Sequence, residues 1–298
     1  MTFLQAQTEV ANSMHLSVTG DATRIKFRLG MAKDAIVAAS RFWFTASRAM
    51  FQTAADYTTG TVALTNASGT VTGTSTVWTA AMVNRWIQFS GETDWYEVTA
   101  RASNTSITIT PSYSGSTTST NVTYIIRAVS YSLAADVDVV YDVRQFANPE
   151  KLVQLSPREY DRLRPNPVVT GKATHYIVWP RTAGAGVWRV ELYPCADAIF
   201  NVEYRYFRTI PDLSADTDVC EIPAKWHWVW VEKAKLFYAE ELGDEGAIAR
   251  IKGLYDAGMQ EMLANNEPSV DQALVLRGGG DERRSRWLNF GPHFESPD

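Results

Sequence analysis

Residues 58–91 have the sequence TTGTVALTNASGTVTGTSTVWTAAMVNRWIQFSG, in which short apolar runs alternate with Thr and Ser and are separated by Gly and Asn. Alternation with period two, bounded by turn residues, is typical of strands buried on one face. The pattern continues through SITITPSYSGSTTST and NVTYIIRAV to about residue 127, with few charged side chains. Residues 57–127 therefore predict a compact all-β module, either a small sandwich or a barrel.

The segment before the module has a helical pattern. Apolar residues recur at spacings of three and four and form one stripe: Ile25, Leu29, Ala32, Ile36, Ala39 and Trp43. Phe27 also alternates with its apolar neighbours as in a strand, but the longer pattern does not fit period two. We therefore predict that residues 1–52 are helical, with a first helix over 2–14 and an aromatic cluster at 42–44.

The segment after the module mixes strands and helices. Strand-like runs occupy 137–143, 174–179, 187–193 and 200–208. A second helical pattern begins near Pro223, breaks at Gly243 and resumes until Pro268, and so short a break favours an antiparallel hairpin.

These patterns together predict an α+β fold. Its helical body combines the N-terminal helices with the C-terminal helical hairpin and carries a small β-sheet, the inserted β module and an extended C-terminal arm. The predicted boundaries are 1–56 and 128–265 for the body, 57–127 for the module and 266–298 for the arm.

The helical hairpin carries the first candidate contact residues. Trp226, Trp228 and Trp230 cannot share one helix face, so at least one should pack against another element or subunit. Glycine in a helix interior costs about 1 kcal/mol relative to alanine, so Gly253 predicts close packing against another helix. We therefore predict that four residues of the hairpin pack subunits together: Trp226, Trp230, Phe237 and Gly253.

Charge and composition exclude several function classes. The net charge of −5 argues against tight DNA or RNA binding. It does not argue against DNA passing nearby, because an acidic surface would repel a duplex and keep it from binding. Apolar runs fall short of the ~20 residues that span a bilayer, and we expect no signal peptide at the N-terminus. Cys195 and Cys220 are expected to be free thiols in a reducing compartment, with one disulfide as the alternative.

The chain offers little sign of catalytic chemistry. His15, His175, His227 and His293 lack metal-binding spacing, and no G-x-S-x-G nucleophile motif occurs. Three consecutive glycines at 278–280 lack the strand and helix context of a phosphate-binding loop. We therefore expect a protein without enzymatic activity, metal or cofactor.

The last 32 residues, EPSVDQALVLRGGGDERRSRWLNFGPHFESPD, have no helical period. Arginines and aromatic residues alternate there, and these residue types anchor interfaces. The arm is either a disordered tail or a segment that orders on a partner. Its candidate binding residues are Arg283, Arg284, Arg286, Trp287, Phe290 and Phe294.

Eight short segments outside the β module form an ordered series: RFWF (41–44), YSLAAD (131–136), LSPREY (155–160), GKATHY (171–176), ELYP (191–194), YRY (204–206), IPDLS (210–214) and IP (222–223). This series resembles the adaptor family of tailed-phage head-to-tail connector proteins. It covers residues 1–56 and 128–265, and Ala134 departs from the proline usual at that position.

The resemblance implies a structural subunit of the virion, assembled in the host cytoplasm. It implies a ring, dodecameric in the family, that sits beneath the portal protein and joins it to tail or nozzle proteins. DNA would pass through the channel without specific binding, and the C-terminal arm would dock on the portal. Two alternatives stay open: a stopper or head-completion protein, and a tail-fibre or glycan-binding protein with Trp78, Trp86 and Trp95 as a sugar platform.

Overall fold

A computed structural model describes residues 1–146, 151–163, 167–180 and 186–266. The chain forms two compact units. One combines Met1–Ala46 with the described residues from Ile210 onward, and we call it the helical unit. The other, the β unit, is Ser47–Thr209.

The described residues contain five α-helices and fourteen strands. The helices are α1 (Phe3–Met14), α2 (Ala22–Ala39), α3 (Pro157–Leu163), α4 (His227–Leu242) and α5 (Glu245–Ala264). The strands are β1 (Ala46–Gln52), β2 (Thr61–Leu64), β3 (Thr70–Thr74), β4 (Trp86–Phe89), β5 (Tyr96–Ser103), β6 (Ser106–Thr110), β7 (Thr118–Val122), β8 (Tyr124–Arg127), β9 (Ser130–Ser132), β10 (Val137–Gln145), β11 (Val153–Gln154), β12 (His175–Trp179), β13 (Arg189–Tyr193) and β14 (Asn201–Arg208).

Local capping fixes the ends of the helices. The Thr2 side chain accepts from the Gln5 amide, and the Gln5 side chain accepts from the Thr2 amide, so a capping box starts α1. Gly243 ends α4 with φ 69°, a left-handed conformation that glycine adopts without strain. Asp244 then accepts from the Ala247 amide and starts α5, which produces the hairpin.

The core of the helical unit forms around α4. Ile25, Leu29 and Ile36 on α2 are fully buried. Trp230 of α4 is also fully buried, and its indole N–H donates to the Leu29 carbonyl at 2.8 Å. None of the helices in the described ranges is both long enough and apolar enough to cross a membrane.

The β module is one antiparallel sheet of seven strands in the order β7-β2-β3-β6-β5-β4-β8. Alternate residues of its strands point into a core of their own, for example Ile107 and Ile109 of β6. Trp78 lies in this core, and its indole N–H donates to the Tyr124 hydroxyl at 2.9 Å. The chain enters and leaves the module side by side, because Tyr57 and Ile126 exchange backbone hydrogen bonds of 2.9 Å.

The rest of the β unit, as far as the structure describes it, contains α3 and two smaller sheets, ordered β1-β14-β10 and β11-β12-β13-β9. They bury a shared core that includes Val143, Val190, Val202 and Tyr204.

The predicted fold class is wrong. The structure is mostly β, with a helical part, rather than a helical body that carries a small sheet. Residues 128–209 group with the β module and not with the helices, because their strands bury their apolar faces on each other. Residues 46–52 were predicted to be helical but form β1, which pairs with β14.

Candidate functional site

The three tryptophans near the start of α4 have different environments. Trp226 and Trp230 are buried in the core of the helical unit, whereas Trp228 is 41% exposed. Trp228 covers Gly258 of α5, where an added Cβ would lie 2.6 Å from the indole ring. Close packing of α4 against α5 within the chain therefore requires glycine at 258.

The four residues predicted to pack subunits together occupy different positions. Trp226 and Trp230 contribute to the chain's own core. Phe237 is half-buried, with the Lys233 ammonium 4.6 Å from its ring centre. Gly253 is exposed, and an added Cβ there would have no neighbour within 4 Å. Their role between subunits stays a prediction, and Gly253 has the most room to receive a partner.

A buried lysine holds the chain that leads into α4. The Lys33 ammonium, on a residue only 1% exposed, contacts the carbonyl oxygens of Ile210 and Pro211 and lies 2.6 Å from the Asp212 carboxylate. Its hydrogen bond and charge lower the pKa of Asp212.

A cavity of about 290 Å³ lies beside the segment that Lys33 holds, and Asp212 and Asp218 are among its lining residues. Both carboxylates already have partners within the chain: Asp212 pairs with Lys33, and Asp218 accepts hydrogen bonds from two backbone amides.

His227 lies in the core of the helical unit, 4% exposed. Its Nε2 is 2.7 Å from the Ile222 carbonyl and donates to it in the neutral ring, while Nδ1 is buried without a hydrogen-bond partner among the described residues. Burial lowers the pKa of His227 below its usual value of 6.5.

This burial predicts a loss of stability in mild acid. Between pH 6.5 and the lower pKa of the folded state, the unfolded chain binds a proton that the folded chain does not, so the free energy of unfolding decreases as pH falls through this range. Urea unfolding measures the free energy of unfolding at pH 7.5 and at pH 5.5. Between these two values it should decrease less for His227→Gln than for the wild type. The matched variant His15→Asn should behave like the wild type, and equal decreases in all three proteins would contradict the assignment.

Arg127, at the end of β8, joins the β module to the rest of the β unit. Its guanidinium binds both carboxylate oxygens of Asp56, at 2.9 and 2.6 Å. It also donates to the carbonyl oxygens of Pro167 and Val168. Arg127 is 7% exposed and lies 5.3 Å from the ring centre of Trp95. We call these contacts the Arg127 clamp.

Another charged cluster lies on β10 and β14. Asp142 is paired across the strands with Arg205, and Arg144 with Glu203. Both acids are buried, and the closest ion-pair distances are 3.4 Å for Asp142–Arg205 and 2.9 Å for Arg144–Glu203. Each acid lies opposite a base on the neighbouring strand, and a shift in pairing would separate these charges. The ion pairs therefore stabilise the observed register between β10 and β14.

Other predicted sites have mixed outcomes. Cys195 and Cys220 form no disulfide, in agreement with the predicted thiols, and both are buried. Trp78 is 1% exposed and Arg127 covers Trp95, so the three tryptophans of the proposed sugar platform share no open surface. Among the residues that the structure describes, no group of three or more His, Cys, Asp or Glu could hold a metal ion. The candidate portal-binding residues lie outside the described residues: Arg283, Arg284, Arg286, Trp287, Phe290 and Phe294.

Sequence reasoning missed Lys33, the Arg127 clamp and the exposed Phe27 of α2. Lys33 and Arg127 bind partners far away in the chain, which no local pattern reveals. Phe27 could have been found, because it lies two residues after Ile25 and therefore about 200° around the helix from the apolar stripe.

Comparison with known proteins identifies the family. The model of the SU10 adaptor protein family matches residues 62–277, which is well over half of the chain. The matched range begins inside the β module and extends past the end of α5. No curated protein matches the chain. The match confirms the adaptor family predicted from the ordered segments, and the chain belongs to the SU10 adaptor protein family of phage structural adaptors.

Proposed function

We propose that this chain is one subunit of a phage head-to-tail connector, where it acts as a structural component rather than an enzyme. Several copies form a ring, dodecameric as the resemblance implies, beneath the portal protein. The ring links the portal to tail or nozzle proteins, and the genome passes through its centre. The match to the adaptor family over residues 62–277 carries this proposal.

The charge of the chain supports passage of DNA without binding. The net charge of −5 provides no excess of Lys and Arg to displace counterions from phosphates. A duplex is repelled by such a surface and slides past it. The subunit is assembled in the host cytoplasm and ends in the virion.

The ring is tested by measuring mass and symmetry of the purified full chain, alone and mixed with the portal protein of the same phage. Analytical ultracentrifugation gives the mass, and electron microscopy of the mixture gives the symmetry. A closed ring, formed alone or on the portal, supports the proposal. A stable monomer that does not bind the portal protein would overturn it.

The C-terminal arm is proposed to bind the portal through its aromatic and arginine residues. Deleting residues 277–298 should abolish co-sedimentation with the portal and leave the melting temperature unchanged, because the deletion removes no residue of the described cores.

A full-length chain with residues 281–298 in scrambled order is the matched control, since it keeps length, charge and aromatic content. It should bind as weakly as the deleted chain if specific contacts dock the arm. Portal binding of the deleted chain at unchanged affinity would refute the docking role.

A further inference from the structure

A side-chain clasp holds the end of α5 against the segment that follows α2. Asn266 is the last residue that the structure describes, and its side-chain amide bonds two backbone groups of that segment. The Oδ1 atom accepts from the Trp43 N–H at 2.8 Å, and the Nδ2 atom donates to the Arg41 carbonyl at 3.0 Å. We call these two hydrogen bonds the Asn266 clasp. The clasp fixes the point on the helical unit from which the C-terminal arm starts.

Exposed apolar side chains flank the clasp. Trp43 is 49% exposed although its neighbour Phe42 is buried, and its ring meets Phe44 edge-on, with 6.2 Å between ring centres. Leu263 is 44% exposed, and its carbonyl accepts from the Asn266 N–H. We call Trp43 and Leu263 the root patch. Both residues are hydrogen-bonded to Asn266, so the next residues of the chain start beside them.

The sequence directly after the clasp is apolar, whereas the sequence further along the arm is charged. Residues 267–276 have the sequence EPSVDQALVL, with four consecutive apolar residues at 273–276 and no charge after Asp271. In contrast, five of the six residues at 281–286, DERRSR, are charged. A run of four apolar residues is normally covered by another surface in a folded protein.

The clasp places this apolar run within reach of the root patch. Ala273 is seven positions after Asn266, and an extended chain spans about 3.3–3.6 Å per residue, so the run is long enough to fold back onto Trp43. Because its start is held at the patch, the run is present there at a high effective concentration, and a separate molecule has no such advantage.

The family match provides an independent reason to assign the run to the chain's own fold. The match extends past Asn266 through the apolar run and ends at residue 277, immediately before the glycines at 278–280. The charged stretch at 281–286 lies outside the match. The run thus goes with the matched part of the chain, as expected for a segment that packs on its own helical unit.

We propose that residues 270–276 dock on the root patch of the same chain, with the apolar run 273–276 against the Trp43 indole and the Leu263 side chain. The Asn266 clasp positions this segment beside the surface that it covers. The contact lies within one chain and does not depend on the ring or on the portal. It leaves residues 277–298 for a partner, and these are the residues whose deletion is expected to abolish portal binding.

Photo-crosslinking of the full chain tests this contact. With p-benzoylphenylalanine in place of Leu274, irradiation in the absence of portal protein should link position 274 to a peptide that contains Trp43 or Leu263. The crosslinked chain should migrate as a monomer on a denaturing gel. The matched control carries the same amino acid in place of Phe290, which lies beyond the proposed contact, and should give no link to either peptide.

The other crosslinking outcomes overturn the proposal. A crosslinked dimer would assign the run to a second copy of the chain. A link that forms only after portal protein is added would make the portal the occupant of the root patch. Links only to other peptides, or no link, would refute the contact. None of these outcomes changes the test of the ring, which the mass and symmetry measurements decide separately.

Hydrogen exchange of the full chain without portal provides a second, independent measurement. Backbone amides of residues 270–276 should exchange at least about tenfold more slowly than those of residues 281–298, because a docked segment must open before it exchanges. Trp43→Ala should remove most of this protection. Leu274→Ser/Leu276→Ser should have the same effect, since it changes the other side of the contact.

Phe27→Ala is the matched control for hydrogen exchange, because Phe27 is a 63% exposed aromatic residue of α2 outside the root patch. It should leave the exchange of residues 270–276 unchanged. The amides of α4 serve as an internal reference, and their unchanged protection shows that the helical unit stays folded. Equal exchange of 270–276 and 281–298 in the wild type would contradict the proposal, and so would unchanged protection in Trp43→Ala or in the double serine variant.

Discussion

Trp230→Ala is expected to lower the free energy of unfolding of the helical unit by about 3–5 kcal/mol. The indole projects from α4 and is fully buried against α1 and α2. The Phe3 ring stacks on it with 6.5 Å between ring centres, and the indole nitrogen lies 2.8 Å from the Leu29 carbonyl oxygen. Removing it leaves a cavity that the surrounding helices can fill only in part, and also removes a buried hydrogen bond.

Urea unfolding followed by circular dichroism at 222 nm measures this effect, because all long helices of the described chain belong to the helical unit. Trp228→Ala is the matched control, since Trp228 lies on the same helix but is 41% exposed. Trp228→Ala should lower the free energy of unfolding clearly less than Trp230→Ala does. Equal losses in the two variants would show that the core does not depend on Trp230.

Arg127→Ala is expected to destabilise the β unit by about 3–5 kcal/mol. The change leaves the Asp56 carboxylate without its cation and the carbonyls of Pro167 and Val168 without their donor. These polar groups lost contact with water when the clamp formed, and without Arg127 they lose the hydrogen bonds that replaced the water. This loss costs more free energy than the loss of an exposed ion pair.

Thermal unfolding followed by near-ultraviolet circular dichroism reports on the clamp, because Trp95 lies against Arg127. Arg24→Ala is the matched control: it breaks an exposed pair with Glu241, which solvent screens, and should destabilise the protein clearly less than Arg127→Ala. The double variant Arg127→Ala/Asp56→Ala should be only slightly less stable than Arg127→Ala alone. Additive losses from the two clamp variants would mean that the residues act independently.

Local patterns in the sequence predicted the elements better than their arrangement. The stripe from Ile25 to Ile36 indicated α2 correctly, because one face of a helix must be apolar to bury itself. Alternation in Ser106–Thr110 likewise indicated a strand. The pattern gave no information on which unit residues 128–209 join, since an apolar strand face fits a sheet partner as well as a helix.

Long-range contacts explain most of what was missed. β1 is a strand because β14 pairs with it, although residues 46–52 follow a helical segment. Arg127 and Asp56 are 71 positions apart, and Lys33 and Asp212 are 179 apart. The candidate arm residues were singled out by composition alone and stay a prediction.

The Arg127 clamp has a mechanical consequence for a protein proposed to join head and tail. Tension along the backbone reaches Asp56 just before the chain enters the β module and continues from Arg127 just after it leaves. The ion pair connects these two points directly, and the adjoining Tyr57–Ile126 hydrogen bonds run beside it. Pulling forces therefore bypass the seven-stranded sheet, which stays unloaded until the clamp opens.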